Sequence, residues 1–217
     1  MTADKTFDAF VFDLDGTLLD TLPDLVAVTN EVLARFGLPT HSRDEILAMV
    51  GNGLRSLISQ AVPQDLPQDE VERILACWKK AYDEHGQTHT SIYDGMMEAL
   101  LELKRRGKKL AVFSNKFDGG VKTVMSHFMP GLMDFELGEG PVPRKPDPQG
   151  LFLIATELGI DPKHIAFVGD SADTDMQVAR NAGAFALGVS WGYQPVGRLR
   201  KTADAIIDHP SQLLDFA

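Results

Sequence analysis

The chain of 217 residues has a single cysteine, Cys77, so no disulfide can form within it. In the apolar setting of Ile74, Leu75 and Trp78, this thiol is expected to be a small core residue in a reducing compartment. No apolar run approaches the roughly 20 residues of a membrane-spanning helix. The opening Met1-Thr2-Ala3-Asp4-Lys5 has no apolar export-signal core, so a cytoplasmic protein without a membrane partner is expected. Basic charge is scarce as well: 21 Lys and Arg face 31 Asp and Glu, a formal net charge of −10. That balance argues against a nucleic-acid partner, because phosphates are neutralised by an excess of Lys and Arg. The one basic run, residues 104–109, falls where a helix should stop at Gly107, and cations there complement the helix dipole. No internal repeat or low-complexity segment is present.

What is there is alternation. Short apolar runs at 7–12, 109–113, 134–137, 165–168, 185–189 and 205–207 read as buried strands. Between the later ones, Leu, Ala and Met at three-and-four spacing predict helices over 95–106, 119–128, 148–158 and 173–182. Such alternation predicts an α/β protein with a doubly wound parallel sheet. The stretch from Thr21 to about Thr90 differs, with helical patterns near 22–36, 43–50, 54–61 and 68–84 and no convincing strand. Thr21-Leu22-Pro23-Asp24 has a possible capping hydroxyl, Pro in the first turn and an acid beyond it. The expected organisation is therefore an α/β core over 1–20 and 88–217, with an all-helical insert over 21–87 and hinges near Asp20–Thr21 and 87–93.

The polar residues that follow the strands carry the chemistry. Asp13 and Asp15 come directly after the first apolar run, and side chains two apart in an extended segment project to the same side. Gly16 then allows a sharp turn. Ser114 and Asn115 follow the second core strand, where a hydroxyl and an amide can donate to phosphate oxygens without adding charge. Lys116 beside them is expected to be a solvated neighbour. Lys145 sits in Pro143-Arg144-Lys145-Pro146-Asp147-Pro148, whose prolines restrict the backbone and so can hold an ammonium at a set point. Arg144 is expected at the surface. A later strand ends in Gly169-Asp170-Ser171-Ala172-Asp173-Thr174-Asp175, with Asp170 the natural ligand of a hard cation. Asp173 and Asp175 both remain candidates for its outer shell, and Asp173 could equally cap the next helix.

These four segments, in this order, resemble the signature motifs of the haloacid dehalogenase superfamily, and the helical insert resembles its small cap. The resemblance implies a Rossmann-like core and a magnesium-dependent phosphatase. In that scheme Asp13 attacks phosphorus and Asp15 serves as acid and base. Asp13, the Asp15 carbonyl and Asp170 hold Mg2+, with Ser171 and Asp175 behind them. Lys145, Gly16, Thr17, Ser114 and Asn115 then hold the phosphoryl group.

Within the superfamily the chain resembles the phosphoglycolate phosphatases, over nearly its whole length. The expected partner is a small phosphorylated metabolite, and the expected state a monomer or homodimer. Gly51-Asn52-Gly53-Leu54-Arg55 would offer amides and a guanidinium to a substrate carboxylate. Sugar-phosphate phosphatases, pyrophosphatases and phosphomutases of the superfamily share much of the pattern. A hydrolytic dehalogenase is disfavoured by Asp15 and Asp170, and a catalytically silent binding protein by the joint presence of Asp13, Lys145 and Asp170. None of the six histidines falls at a motif position.

Overall fold

The computed structural model describes residues 5–217; residues 1–4, part of the N-terminal stretch considered above, lie outside the described residues. The order of strands follows from which runs are apolar throughout. Strands β1 (Ala9–Phe12), β4 (Lys109–Phe117), β5 (Phe135–Glu139), β6 (Ile165–Gly169), β7 (Phe185–Val189) and β8 (Ala205–Ile207) form one sheet. Its order is β5-β4-β1-β6-β7-β8, and every pairing is parallel. Parallel sheets need both faces covered, and the alternation along β1 shows how. Phe10 and Phe12 join one core cluster, whereas Ala9 and Val11 join another on the opposite face. Helices α5 (Met96–Arg105) and α6 (Asp118–Phe128) contribute to the first cluster, and α7 (Gln149–Leu158) and α8 (Asp175–Ala182) to the second.

The chain runs outward from β1 to β4 and β5, then returns to place β6 against the other side of β1. Strand order reverses at that point, and a crevice opens beyond the carboxyl ends of β1 and β6, where such sheets bind ligands. Asp13 and Asp170, the residues that follow β1 and β6, therefore emerge side by side.

Helices α1 (Leu22–Arg35), α2 (Arg43–Met49), α3 (Gly53–Ala61) and α4 (Gln68–His85) make up the insert, close to the bounds expected from periodicity. Trp78 stacks on Tyr82 within α4, and both rings meet Phe117 at the end of β4 edge-on. The short strands β2 (Leu19–Asp20) and β3 (Ser91–Ile92) pair antiparallel at the two expected hinges. Neither was legible from periodicity, because two residues carry no period.

The Thr21–Asp24 segment also differs from the capping expectation. Thr21 makes no side-chain cap bond. Its hydroxyl donates instead to Asp15 Oδ1 at 2.6 Å. Asp24, buried, accepts from the amides of His89 and Thr90 and from the Thr90 hydroxyl at 2.7 Å. Both side chains tie the start of α1 to other parts of the chain. Partners outside the helix won over capping ones because the segment is buried, where every polar group needs a partner.

No helix among the described residues is long and apolar enough to cross a membrane. Cys77 is partly buried against the main core, as a small apolar residue would be.

Candidate active site

Asp13 leaves β1 on the face shared with Phe113 and Phe167, and Lys145 reaches it there. The Lys145 ammonium lies 2.8 Å from Asp13 Oδ1 and 2.7 Å from Asp175 Oδ1, and its side chain is 1% exposed. It also sits over the rings of Phe113 and Phe167, at 5.8 and 5.3 Å from their centroids. An ammonium so enclosed gains its charge compensation from the two carboxylates. Burial opposes its charge, yet Asp13 and Asp175 together hold its pKa above the ordinary lysine range. The backbone at Lys145 is held by Asn115, whose Oδ1 accepts from the Lys145 amide at 2.7 Å.

The carboxylates outnumber the cation. Asp13, Asp170 and Asp175 each offer an oxygen within 4.8 Å of the others. Burial, reinforced by Asp175, pushes the Asp13 carboxyl up to about 7. Burial, with Asp175 and Asp13 adding to it, likewise raises Asp170 well above the carboxylate range. Two acids so disfavoured as anions mark a place short of positive charge. An all-oxygen donor set suits a hard divalent cation such as magnesium, so Asp13 and Asp170 fit that ion.

Asp175 and Asp173, both open candidates from the sequence, part company in the structure. Asp175 is fully buried, accepting from Lys145 Nζ and from the Ser171 amide at 2.9 Å. Asp173 is exposed and pairs with Arg198 at 2.5 Å. With both oxygens engaged, Asp175 is a positioning residue for Lys145. Gly169 must be a glycine beside it, since a Cβ there would overlap the Asp175 side chain.

Asp15 faces the same crevice but belongs to a different ion pair. Lys116 Nζ lies 3.1 Å from Asp15 Oδ1 and 4.5 Å from the ring centroid of Tyr82 on α4. The expectation of a solvated Lys116 is therefore overturned: its side chain is 4% exposed. It was missed because β4 runs on through Ser114, Asn115 and Lys116 to Phe117, further than the apolar run. Burial opposes the Lys116 charge, and Asp15 more than offsets it. Replacing Lys116 by Met should leave Asp15 without its counter-charge. With Asp15 16% exposed and able to rehydrate, a loss near the low end of the range, about 3 kcal/mol, is expected in urea unfolding. Unchanged stability would show the pair to be dispensable.

Other expected site residues fall into two groups. Ser114 and Ser171 line the crevice with Asp13, Asp15, Lys145 and Asp170, as do Gly51 and Gly53 of the insert. Asn115 lines it too, but its amide is engaged, donating to the carbonyls of Gly51 at 3.0 Å and Lys145 at 3.1 Å. It brackets the lysine loop against the insert, and is not free to donate to phosphate as arranged here. Gly16 takes φ +83, and a Cβ there would come within 2.7 Å of Asp170 Oδ2. Its amide donates to the Leu19 carbonyl at 2.9 Å, so Gly16 shapes the loop more directly than it offers a donor. Thr17 is fully buried, its hydroxyl without a partner, and it is not among the residues lining the crevice. Asn52 also lies off the crevice, its carbonyl accepting from Arg144 at 2.6 Å.

Arg55 is turned to the outer face of the insert, donating to both oxygens of Glu72 at 2.7 and 3.0 Å. The loop–helix pattern that suggested a carboxylate reader does not encode this neighbour on α4. An exposed pair of this kind is worth about 0–1 kcal/mol. Arg55→Ala is accordingly expected to change kcat/KM by less than about fivefold. A greater loss confined to carboxylate-bearing substrates would return Arg55 to the site.

Tyr193, beyond β7, is the residue sequence reasoning passed over. Its amide donates to Asp170 Oδ2 at 2.6 Å. Its hydroxyl accepts from the Thr21 and Leu22 amides at 2.8 Å each and donates to Asp20 Oδ1 at 2.9 Å. One residue thus connects Asp170 to the 20–22 segment. The Gly192-Tyr193 sequence held no sign of this, because the partners of the hydroxyl are over 170 residues away. None of the histidines lines the crevice.

Residues 10–189 match the family model of haloacid dehalogenase-like hydrolases, and the chain belongs to that family. It is 33% identical to an N-acetylmuramic acid 6-phosphate phosphatase of Pseudomonas aeruginosa, over 95% of this chain and 93% of that one. It is also 33% identical to a phosphoglycolate phosphatase of Haemophilus influenzae, covering 96% and 97% of the two. Among solved structures, a predicted phosphoglycolate phosphatase from Haemophilus somnus superposes with a TM-score of 0.89, at 31% identity over 96% of each chain.

Proposed function

We propose that the crevice hydrolyses small organic phosphate monoesters through an aspartyl-phosphate at Asp13, with magnesium as cofactor. The chain is a phosphoric monoester hydrolase of the haloacid dehalogenase family. The observation that carries the finer reading is the buried Asp13–Lys145–Asp175 arrangement beside Asp170. It places one ammonium among three carboxylates, at the mouth of a parallel sheet. Asp13, the Asp15 carbonyl and Asp170 would hold the magnesium, which when bound would supply positive charge between two anions that otherwise repel.

The protein's own groups then do the following. The Asp13 carboxylate oxygen attacks phosphorus in line as the ester oxygen departs. Asp15 gives a proton to the leaving alkoxide, and later takes one from the water that cleaves the acyl phosphate. Lys145, fixed by Asp175 and by the Asn115 bracket, holds its ammonium against the transferring oxygens. Ser114 offers a hydroxyl beside it. The helical insert serves as a cap that excludes water during attack. Lys116, in contact with both Asp15 and Tyr82, spans the two parts.

Relatives differ in the substrate their names carry, 2-phosphoglycolate for one and N-acetylmuramic acid 6-phosphate for another. The resemblance to phosphoglycolate phosphatases makes 2-phosphoglycolate the first ester to test. The test is phosphate release from a panel of esters with and without magnesium. Intact-mass measurement on rapidly quenched turnover accompanies it. A single added phosphoryl group, absent in Asp13→Asn, is expected. Turnover with no such adduct in the wild type under single-turnover conditions would favour direct attack by water.

A further inference from the structure

The crevice is larger and less charged on its insert side than a carboxylate substrate would require. Its volume is about 460 Å³, within the roughly 300–1,000 Å³ of sites for drug-sized ligands. On the insert side its apolar lining is Leu25, Leu47, Val50, Leu54, Leu57 and Trp78. Trp78 adds no free donor, because its indole N–H is given to the Thr29 hydroxyl at 3.0 Å. The three cations that line the crevice are already paired: Lys145 with Asp13 and Asp175, Lys116 with Asp15, and Arg198 with Asp173. The charged group contributed by the insert is Asp44, an acid. A substrate carboxylate seated against this insert wall would lose water without gaining a cation from it, which is costly.

Resting on the phosphatase reading above, we propose that this chamber selects phosphate monoesters whose leaving group is uncharged, partly apolar and larger than glycolate. The phosphoryl group meets Asp13 and Lys145, and the leaving group fills the leucine-lined half. Each methylene moved from water into such a wall contributes about 0.8 kcal/mol, or roughly fourfold in binding. Because the wall touches only the leaving group, that gain appears in kcat/KM and not in the chemistry.

Linear alkyl phosphates isolate the effect, since lengthening the chain scarcely alters the reactivity of the ester. From ethyl to hexyl phosphate, kcat/KM of the magnesium-loaded protein should rise on the order of 100-fold. Hexyl phosphate should also exceed 2-phosphoglycolate. Leu47 is half-buried at the wall, so Leu47→Lys places a cation there at small structural cost. That variant should flatten the alkyl series and raise kcat/KM for 2-phosphoglycolate roughly tenfold, the gain of one charge-assisted contact. A flat alkyl series in the wild type, or 2-phosphoglycolate as the better substrate, would overturn the inference and leave the phosphatase reading standing. Should Leu47→Lys not fold, the wild-type series decides alone. Absence of release from every ester with magnesium present would remove the phosphatase reading, and this inference with it.

Discussion

Asp13→Asn is expected to lower kcat by roughly 10⁴-fold or more, the scale seen when a nucleophile is removed from a group of residues acting together. The amide keeps the shape of the carboxylate and loses the attacking charge. Folding should survive, because Lys145 keeps its 2.7 Å bond to Asp175 when Asp13 becomes neutral. Thermal stability of the metal-free variant should equal or exceed the wild type's, since burial pushes the Asp13 carboxyl up to about 7 and so makes its charged form costly. Residual turnover is to be measured after controls for deamidation of the introduced asparagine. Activity within tenfold of the wild type would remove the covalent mechanism. A collapse of Tm would mean that Asp13 is needed for structure as well.

The second large effect concerns the cation. Chelation should abolish turnover, and magnesium should restore it. Calcium should bind without restoring it, because its looser coordination does not hold the in-line geometry. Magnesium should also raise Tm, since an ion that binds only the folded protein stabilises it. The direction with pH follows from Asp13 and Asp170. Both carboxyls are raised, mainly by burial, so each holds a proton to higher pH than an ordinary acid. The ion needs them deprotonated, hence binding releases protons. Below about 7, the value to which Asp13 is pushed, the magnesium Kd should rise by between about one and two decades per pH unit. Isothermal titration in two buffers of different ionisation heat reads both the affinity and the proton count. A Kd independent of pH from 5 to 8 would contradict the shared role of these acids.

Much of the fold was written in local pattern. The runs at 185–189 and 205–207 are strands at the same bounds in the structure, as β7 and β8. The four helices of the insert lie within a few residues of their periodic stretches. Period and apolarity suffice there, because a residue's neighbours in sequence decide whether it can face a core. The same logic brought Asp13, Asp15 and Asp170 together, since polar residues after buried strands must emerge at one edge of a parallel sheet.

Pairings between segments distant in sequence were decided by tertiary structure alone. Lys116 looked like a surface lysine until β4 was seen to carry it beneath Tyr82 and onto Asp15. Thr21 and Asp24 had the chemistry of a helix cap, yet their buried partners are Asp15 and the 89–90 segment. Arg55 had the setting of a carboxylate reader until Glu72 occupied both arms of its guanidinium. Asp173 and Asp175 were equal candidates by spacing, and only the turn into α8 put one in water and the other against Lys145. The sequence thus determined which groups stand at the sheet edge, because that follows from alternation along single segments. Which of those groups are free and which are already paired depends on charges supplied by segments up to a hundred or more residues away, and only the folded chain brings these within hydrogen-bonding distance.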